Sequence, residues 1–106
     1  SQIAGCITGY WRPDADSCLF IWQVAVHPDF RGRGLALSML SWLGEKNPFT
    51  TLETTISPSN IASRKLFQSY ADHAGLSVTQ HAFLEDYTAA SGAVHEKEEL
   101  FRLAAR

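Results

Sequence analysis

The chain has 106 residues, 45% hydrophobic and 19% charged, with a formal net charge of −2. That is enough for one domain with its own core, unaided by disulfides or metals. The slight acidity excludes a general field for nucleic acid or anionic membrane, and no apolar run approaches the roughly 20 residues of a membrane span.

The first residues, Ser1 to Gly9, are apolar but carry neither a basic leader nor a cleavage-like site, so they do not read as a signal peptide. Cys6 and Cys18 match no metal or redox spacing and are expected to be reduced and buried. His27, His73, His81 and His95 are scattered, with no zinc-like pairing. By default these points suggest a cytoplasmic, metal-free protein.

Ile3 to Trp11 reads as a strand, and Arg12 to Ser17 as a polar turn. Cys18 to Val26 is nearly continuous apolar and aromatic sequence, as in a strand covered on both faces. Together they predict a hairpin. His27 to Phe30 stops the strand, and Arg31-Gly32-Arg33-Gly34 forms a tight loop. Leu35 to Leu43 predicts a helix, with Leu35, Met39, Trp42 and Leu43 on one stripe and Gly44 near its end. Leu52 to Ile56 predicts a strand, and Ser57 to Asn60 a turn with an N-cap. Ile61 to Ala71 predicts a second helix, followed by a strand over Leu76 to Phe83, a loop over Glu85 to Gly92 and a last strand over Glu99 to Leu103. The order β-β-α-β-α-β-β, in one domain spanning 1–106, argues for an α/β fold with a mixed sheet and flanking helices.

The segment Val24 to Ala36 joins a strand to a helix through two glycines. A helix start offers unpaired N–H groups and partial positive charge, and glycine admits positive φ and close ligand approach. This combination reads phosphate through main-chain donors, with Arg31 and Arg33 adding charge. A dinucleotide fingerprint starting at Gly32 fails because its third glycine position is Leu37, and no Lys follows either loop glycine as a P-loop requires.

The spacing Arg31-x-x-Gly34-x-Ala36 matches the [QR]-x-x-G-x-[GA] signature of the GNAT family of N-acetyltransferases, whose loop binds the pyrophosphate of acetyl-coenzyme A. Val26-His27-Pro28 and the block Asn60 to Phe67, which is similar to the family's N-x-x-A-x-x-L-[YF] helix start, extend the resemblance. It implies a cofactor site formed by Val24, Ala25, Val26, Arg31, Gly32, Arg33, Gly34, Leu35, Ala36, Asn60, Ser63 and Phe67. Where many members carry Tyr as general acid, this chain has Phe67, so that role is not carried over; Tyr70, Ser63 or water would replace it. Phe20 to Pro28, Leu52 to Asn60, and His95-Glu96 with Leu100 to Leu103 resemble more narrowly the diaminobutyrate acetyltransferases of ectoine biosynthesis. The resemblance implies acetylation of the 4-amino group of L-2,4-diaminobutyrate in an osmolyte pathway. It also implies a further strand, two helices and a strand before Ile3, so the chain is expected to be an amino-terminally truncated form.

An alkylamine is neutral only about once in a thousand molecules at neutral pH, so a base is useful. Glu53, in an otherwise apolar strand, is the candidate base or ammonium-binding group, and Trp22 the candidate wall against the substrate. The backbone of Val24 to Val26 would meet the pantetheine arm and the thioester carbonyl. His81 and His95 read as surface residues, and Glu96, Glu98 and Glu99 as a solvated face. Neither Cys6 nor Cys18 has an adjacent activating base, which favours direct attack in a ternary complex over an acyl-enzyme. The alternatives are an acetyltransferase for another small amine or a protein amine, and an inactive coenzyme-A-binding protein. Dimers are common in the resembled family.

Overall fold

The structure, a computed structural model, describes residues 4–82 and 98–106. In chain order the elements are β1 (Gly5–Trp11), β2 (Cys18–Val26), a 3-10 turn (Pro28–Phe30), α1 (Leu35–Lys46), β3 (Thr51–Ile56), α2 (Ile61–Ala74), β4 (Leu76–Ala82) and β5 (Glu99–Ala105). The expected order holds for these elements. The loop expected over Glu85 to Gly92, and the residues His95 and Glu96, lie outside the described residues.

The five strands form one sheet in the order β1-β2-β3-β5-β4. Only β2 and β3 run parallel; the other neighbours are antiparallel. The parallel step is the one bridged by α1, since a parallel connection needs a crossover. Leu19 and Ile21 of β2, Leu52 and Ile56 of β3, and Phe101 and Leu103 of β5 pack with Leu40 of α1 and with Phe67, Tyr70 and Ala71 of α2. Both helices therefore cover the same sheet face. Leu40, Leu52 and Leu103 are fully buried, and each such side chain is worth about 1.5–3 kcal/mol relative to exposure.

This one-sided packing corrects two expectations. The apolar run of β2 predicted cover on both faces, yet Trp22 is 60% exposed and Phe20 only half-buried. The run alternates after all: Leu19 and Ile21 face the helices, while Phe20 lies opposite Glu53 on the other face. Cys6, expected to be buried, is exposed on β1, whereas Cys18 is buried.

The helices also run past their predicted ends. α1 continues through Gly44 to Lys46 because Gly44 is where α1 meets α2: a Cβ there would collide with the Tyr70 hydroxyl. α2 continues to Ala74 and stops at Gly75, whose φ of 74° forms a left-handed cap. Burial raises the Tyr70 phenol above its ordinary pKa, and Glu45 raises it further.

Candidate functional site: a cleft at a helix start

The β2 strand changes neighbours abruptly at Trp22. On one side, Thr8 pairs with Gln23 and Gly9 with Ile21, so β1 passes over Trp22 and leaves it in a bulge. On the other, pairing with β3 covers only Cys18 to Ile21, opposite Thr51 to Thr54. From Trp22 onward β2 has left β3, and the cleft opens beside its last residues, Val24 to Val26.

Beyond Val26 the chain is held by short polar contacts. His27 Nδ1 accepts a hydrogen bond from the Asp29 amide at 3.1 Å and so caps the 3-10 turn. Arg31 donates from Nε to the Val26 carbonyl at 3.3 Å, folding the loop back on the strand end. Gly32 and Gly34 have φ of 80° and 70°. A Cβ at either would meet no protein atom within 4 Å, so within the chain itself the demand for glycine comes from the backbone twist. Gly34 is the N-cap of α1, and its carbonyl accepts from the Ser38 amide at 3.0 Å. The preceding N–H groups of the first turn have no intrahelical acceptor by geometry.

A cleft of about 690 Å³ lies between this loop, the free length of β2, the first turn of α1 and one side of α2. That is within the usual range for a small-molecule site. Its lining includes Val24, Ala25, Val26, Arg31, Gly32, Gly34, Leu35, Ala36, Asn60 and Ser63, which the sequence pattern had grouped from two segments far apart in the chain. Two of the grouped residues stand elsewhere. Arg33 lies over the Phe30 ring, 5.3 Å from its centroid, and Phe67 is 2% exposed in the core. Phe67 is spaced for the helical stripe that faces the sheet, so it packs with Leu52 and Phe101 instead of reaching the cleft.

Phe30, Leu37, Ala62, Lys65, Leu66 and Ser69 also line the cleft and were not singled out from the sequence. The α2 members were findable. Lys65 and Leu66 lie three and four residues after Ala62, and Ser69 four and three residues after them, on the helical stripe that begins beside the Asn60 cap. Lys65 adds a second cation to Arg31 in a chain that is negative overall. Asn60 is the N-cap of α2 and accepts from the Ser63 amide at 3.2 Å.

The two candidate catalytic residues, Trp22 and Glu53, do not line the cleft. Glu53 is 1% exposed at the centre of the sheet, directly between Phe20 and Arg102. Its Oε1 accepts from Arg12 at 2.6 Å and its Oε2 from Arg102 at 2.7 Å. Arg12 also binds Asp14 through two nitrogens, at 3.1 and 2.6 Å. Burial alone would raise the Glu53 pKa, but hydrogen bonds from Arg12 and Arg102, and then from Cys18, hold it below the ordinary carboxylate value. Asp14 is lowered chiefly by its bond from Arg12. Burial pushes the Cys18 thiol up, which lowers its thiolate character. A carboxylate with both oxygens engaged by guanidinium groups is a weaker proton acceptor than a free one. The geometry thus corrects the reading of Glu53 as a free base: it is the anionic centre of a clamp that joins β3, β5 and the turn after β1.

Of the remaining candidates, His81 and Glu98 are exposed, while Glu99 is half-buried and accepts from Arg64 at 2.8 Å. Tyr70 is buried in the core and Ser63 lines the cleft. Among the described residues no group of three His, Cys, Asp or Glu could hold a metal, and no helix is long and apolar enough to cross a membrane.

The residues fit a phosphorylated, extended ligand such as acetyl-coenzyme A. The loop and helix starts present main-chain donors, Arg31 and Lys65 supply charge, and the free edge of β2 supplies peptide groups. Comparison with known proteins agrees with this fit. The sequence pattern of the Acetyltransferase (GNAT) family matches residues 1–71. L-2,4-diaminobutyric acid acetyltransferase of Streptomyces coelicolor is 42% identical over 103 residues, which cover 93% of this chain and 60% of that protein. The enzyme of the same name from Vibrio cholerae is 40% identical, with 95% and 60% covered. The solved diaminobutyrate acetyltransferase of Paenibacillus lautus, in complex with L-2,4-diaminobutyric acid and coenzyme A, superposes with a TM-score of 0.87 at 36% identity, covering 95% of this chain and 63% of that one. The chain thus spans about three fifths of the length of these relatives. With the mixed sheet, the parting of β2 from β3 and the glycine loop all in place, the chain belongs to the acetyltransferase (GNAT) family.

Proposed function

We propose that the protein transfers the acetyl group of acetyl-coenzyme A to the 4-amino group of L-2,4-diaminobutyrate, giving 4-N-acetyl-L-2,4-diaminobutyrate for ectoine biosynthesis. The observation that carries the proposal is the cleft built on the loop from Arg31 to Gly34. Its acceptor half rests on the relatives, which share a name for this activity at about 40% identity.

Bound there, acetyl-coenzyme A supplies an acetyl group activated as a thioester. The first-turn amides of α1, with Arg31 and Lys65, hold the phosphates. Asn60 and Ser63 at the start of α2 face the same space and suit the amides of the pantetheine arm. The peptide groups of Val24 to Val26 that no longer pair with β3 orient the thioester. Trp22 is proposed as a wall for the acceptor, because the bulge re-aims its ring where β2 parts from β3. Glu53 is proposed to act through Arg12 and Arg102, by fixing the strands beneath the acceptor side. The amine attacks directly within a ternary complex, and neither Cys6 nor Cys18 lines the cleft as an acyl-enzyme would require.

The test follows release of the coenzyme A thiol by the full-length natural protein with diaminobutyrate, ornithine, lysine and a peptide. Preferred turnover of diaminobutyrate is expected. Release with lysine or peptide alone would transfer the assignment to another acceptor, and coenzyme A binding without release from any amine would leave a coenzyme-A-binding protein.

A further inference from the structure

A parallel strand pair that separates midway needs something to fix the point of separation. Otherwise the two backbones can zip further together or peel further apart, because each extra ladder bond is worth little net energy. In this chain the separation falls at one place. The last register pair of β2 and β3 is Ile21 with Thr54, and the next β2 residue, Trp22, is also skipped by β1. At that pair the Thr54 hydroxyl donates to the Ile21 carbonyl at 2.8 Å. Thr54 is 5% exposed and lies on the face covered by the helices, opposite Phe101 and beside the Leu52 and Ile56 core positions. A hydroxyl is costly in that apolar layer unless it is bonded, and an isosteric Val would fill the same space but leave the Ile21 carbonyl without this donor.

We propose that Thr54 is a positioning residue: its hydroxyl pins the Ile21 carbonyl at the last paired residue and so sets where β2 leaves β3, which places the free backbone of Val24 to Val26 along the cleft. The bulge at Trp22 bends β2 just beyond this point, and the Thr54 hydrogen bond holds the last paired residue before the bend. Thr54 does not line the cleft, and its effect on a ligand is transmitted through β2. The coenzyme part of this inference rests on the function proposed above, while the strand-positioning part does not.

Two measurements separate them. Hydrogen–deuterium exchange of the ligand-free chain reads the backbone from Ile21 to Val26 directly, and calorimetric titration with coenzyme A reads the cleft. In Thr54→Val, exchange over this segment should quicken and the coenzyme dissociation constant should rise, each by about five- to tenfold, as expected for one buried hydrogen bond. Exchange in α1 and β5 should stay unchanged. Thr54→Ser, which keeps the hydroxyl, should restore both readouts; Thr54→Ala replaces the valine variant if the latter does not fold. Parent-like exchange in Thr54→Val, or equal impairment in Thr54→Ser, overturns the proposal. If the parent chain does not bind coenzyme A, the proposed function fails, and the exchange measurement alone decides the role of Thr54.

Discussion

The two faces of the β2–β3 region solve different problems with different materials. Where β2 runs free, the cleft is built from backbone: positive-φ glycines, helix starts and an unpaired strand edge, with Arg31 and Lys65 as the charged supplement. On the sheet face away from the helices, the Arg12–Glu53–Arg102 clamp is built from side chains that meet from β3, β5 and the turn after β1. The cleft leaves backbone groups available to a ligand, although Val24, Leu37 and Leu66 of its lining also pack against the core. The clamp engages both carboxylate oxygens of Glu53 internally. Charge density alone would have pointed to the clamp as the active centre, but the free hydrogen-bonding capacity lies in the cleft.

The largest effect that could break this contrast is on stability. Glu53→Ala leaves two guanidinium groups without their shared partner. A fully buried pair broken this way costs 3–5 kcal/mol, and the partial exposure of both arginines lowers the expected loss to about 2 kcal/mol, read by urea denaturation. Coenzyme A affinity should change far less than stability. A large loss of affinity at unchanged stability would place Glu53 in the site after all.

The converse variant is Gly34→Val. Forcing a β-branched residue to a φ of 70° costs about 1–2 kcal/mol, so the loop should shift and coenzyme affinity fall about tenfold. Titration calorimetry reads the affinity and denaturation the stability. A loss confined to stability would mean that the loop is only a connector.

The smallest effect concerns pH. The folded-state pKa of Glu53 is depressed, so the unfolded chain binds its proton first as pH falls. The stabilisation is fully present above the ordinary value of 4.5 and is lost as pH falls through the depressed one. The melting temperature should therefore drop on the acid side of pH 4.5, and Glu53→Gln should flatten that slope. An equally steep slope in the variant would assign it to other carboxylates.

What was legible in the sequence was local. The glycine loop, the Asn60 cap and the order of elements depend on neighbours a few residues apart, where propensity and turn chemistry act directly. The clamp was not legible, because Glu53 meets partners 41 and 49 residues away and only the sheet register brings them together. The same is true of Arg64, which reaches Glu99 across 35 residues. Phe67 differs for a related reason: the family pattern implies a place near the ligand, while its position on the helix turns it to the core. The extension of α1 through Gly44 shows a tertiary contact overriding a weak local stop, since the missing side chain there admits the Tyr70 hydroxyl.

The open space around Gly32 and Gly34 has an evolutionary consequence. Within the chain their constraint is one of handedness, so folding filters substitutions by which residues tolerate a left-handed backbone, while a phosphate bound in the cleft adds a limit on size. Asn and Asp enter that region far more readily than Ala or Ser. Among non-glycine residues, Asn at position 34 is therefore the replacement that should cost the fold least, and the coenzyme affinity that it leaves reads how closely a ligand approaches the loop.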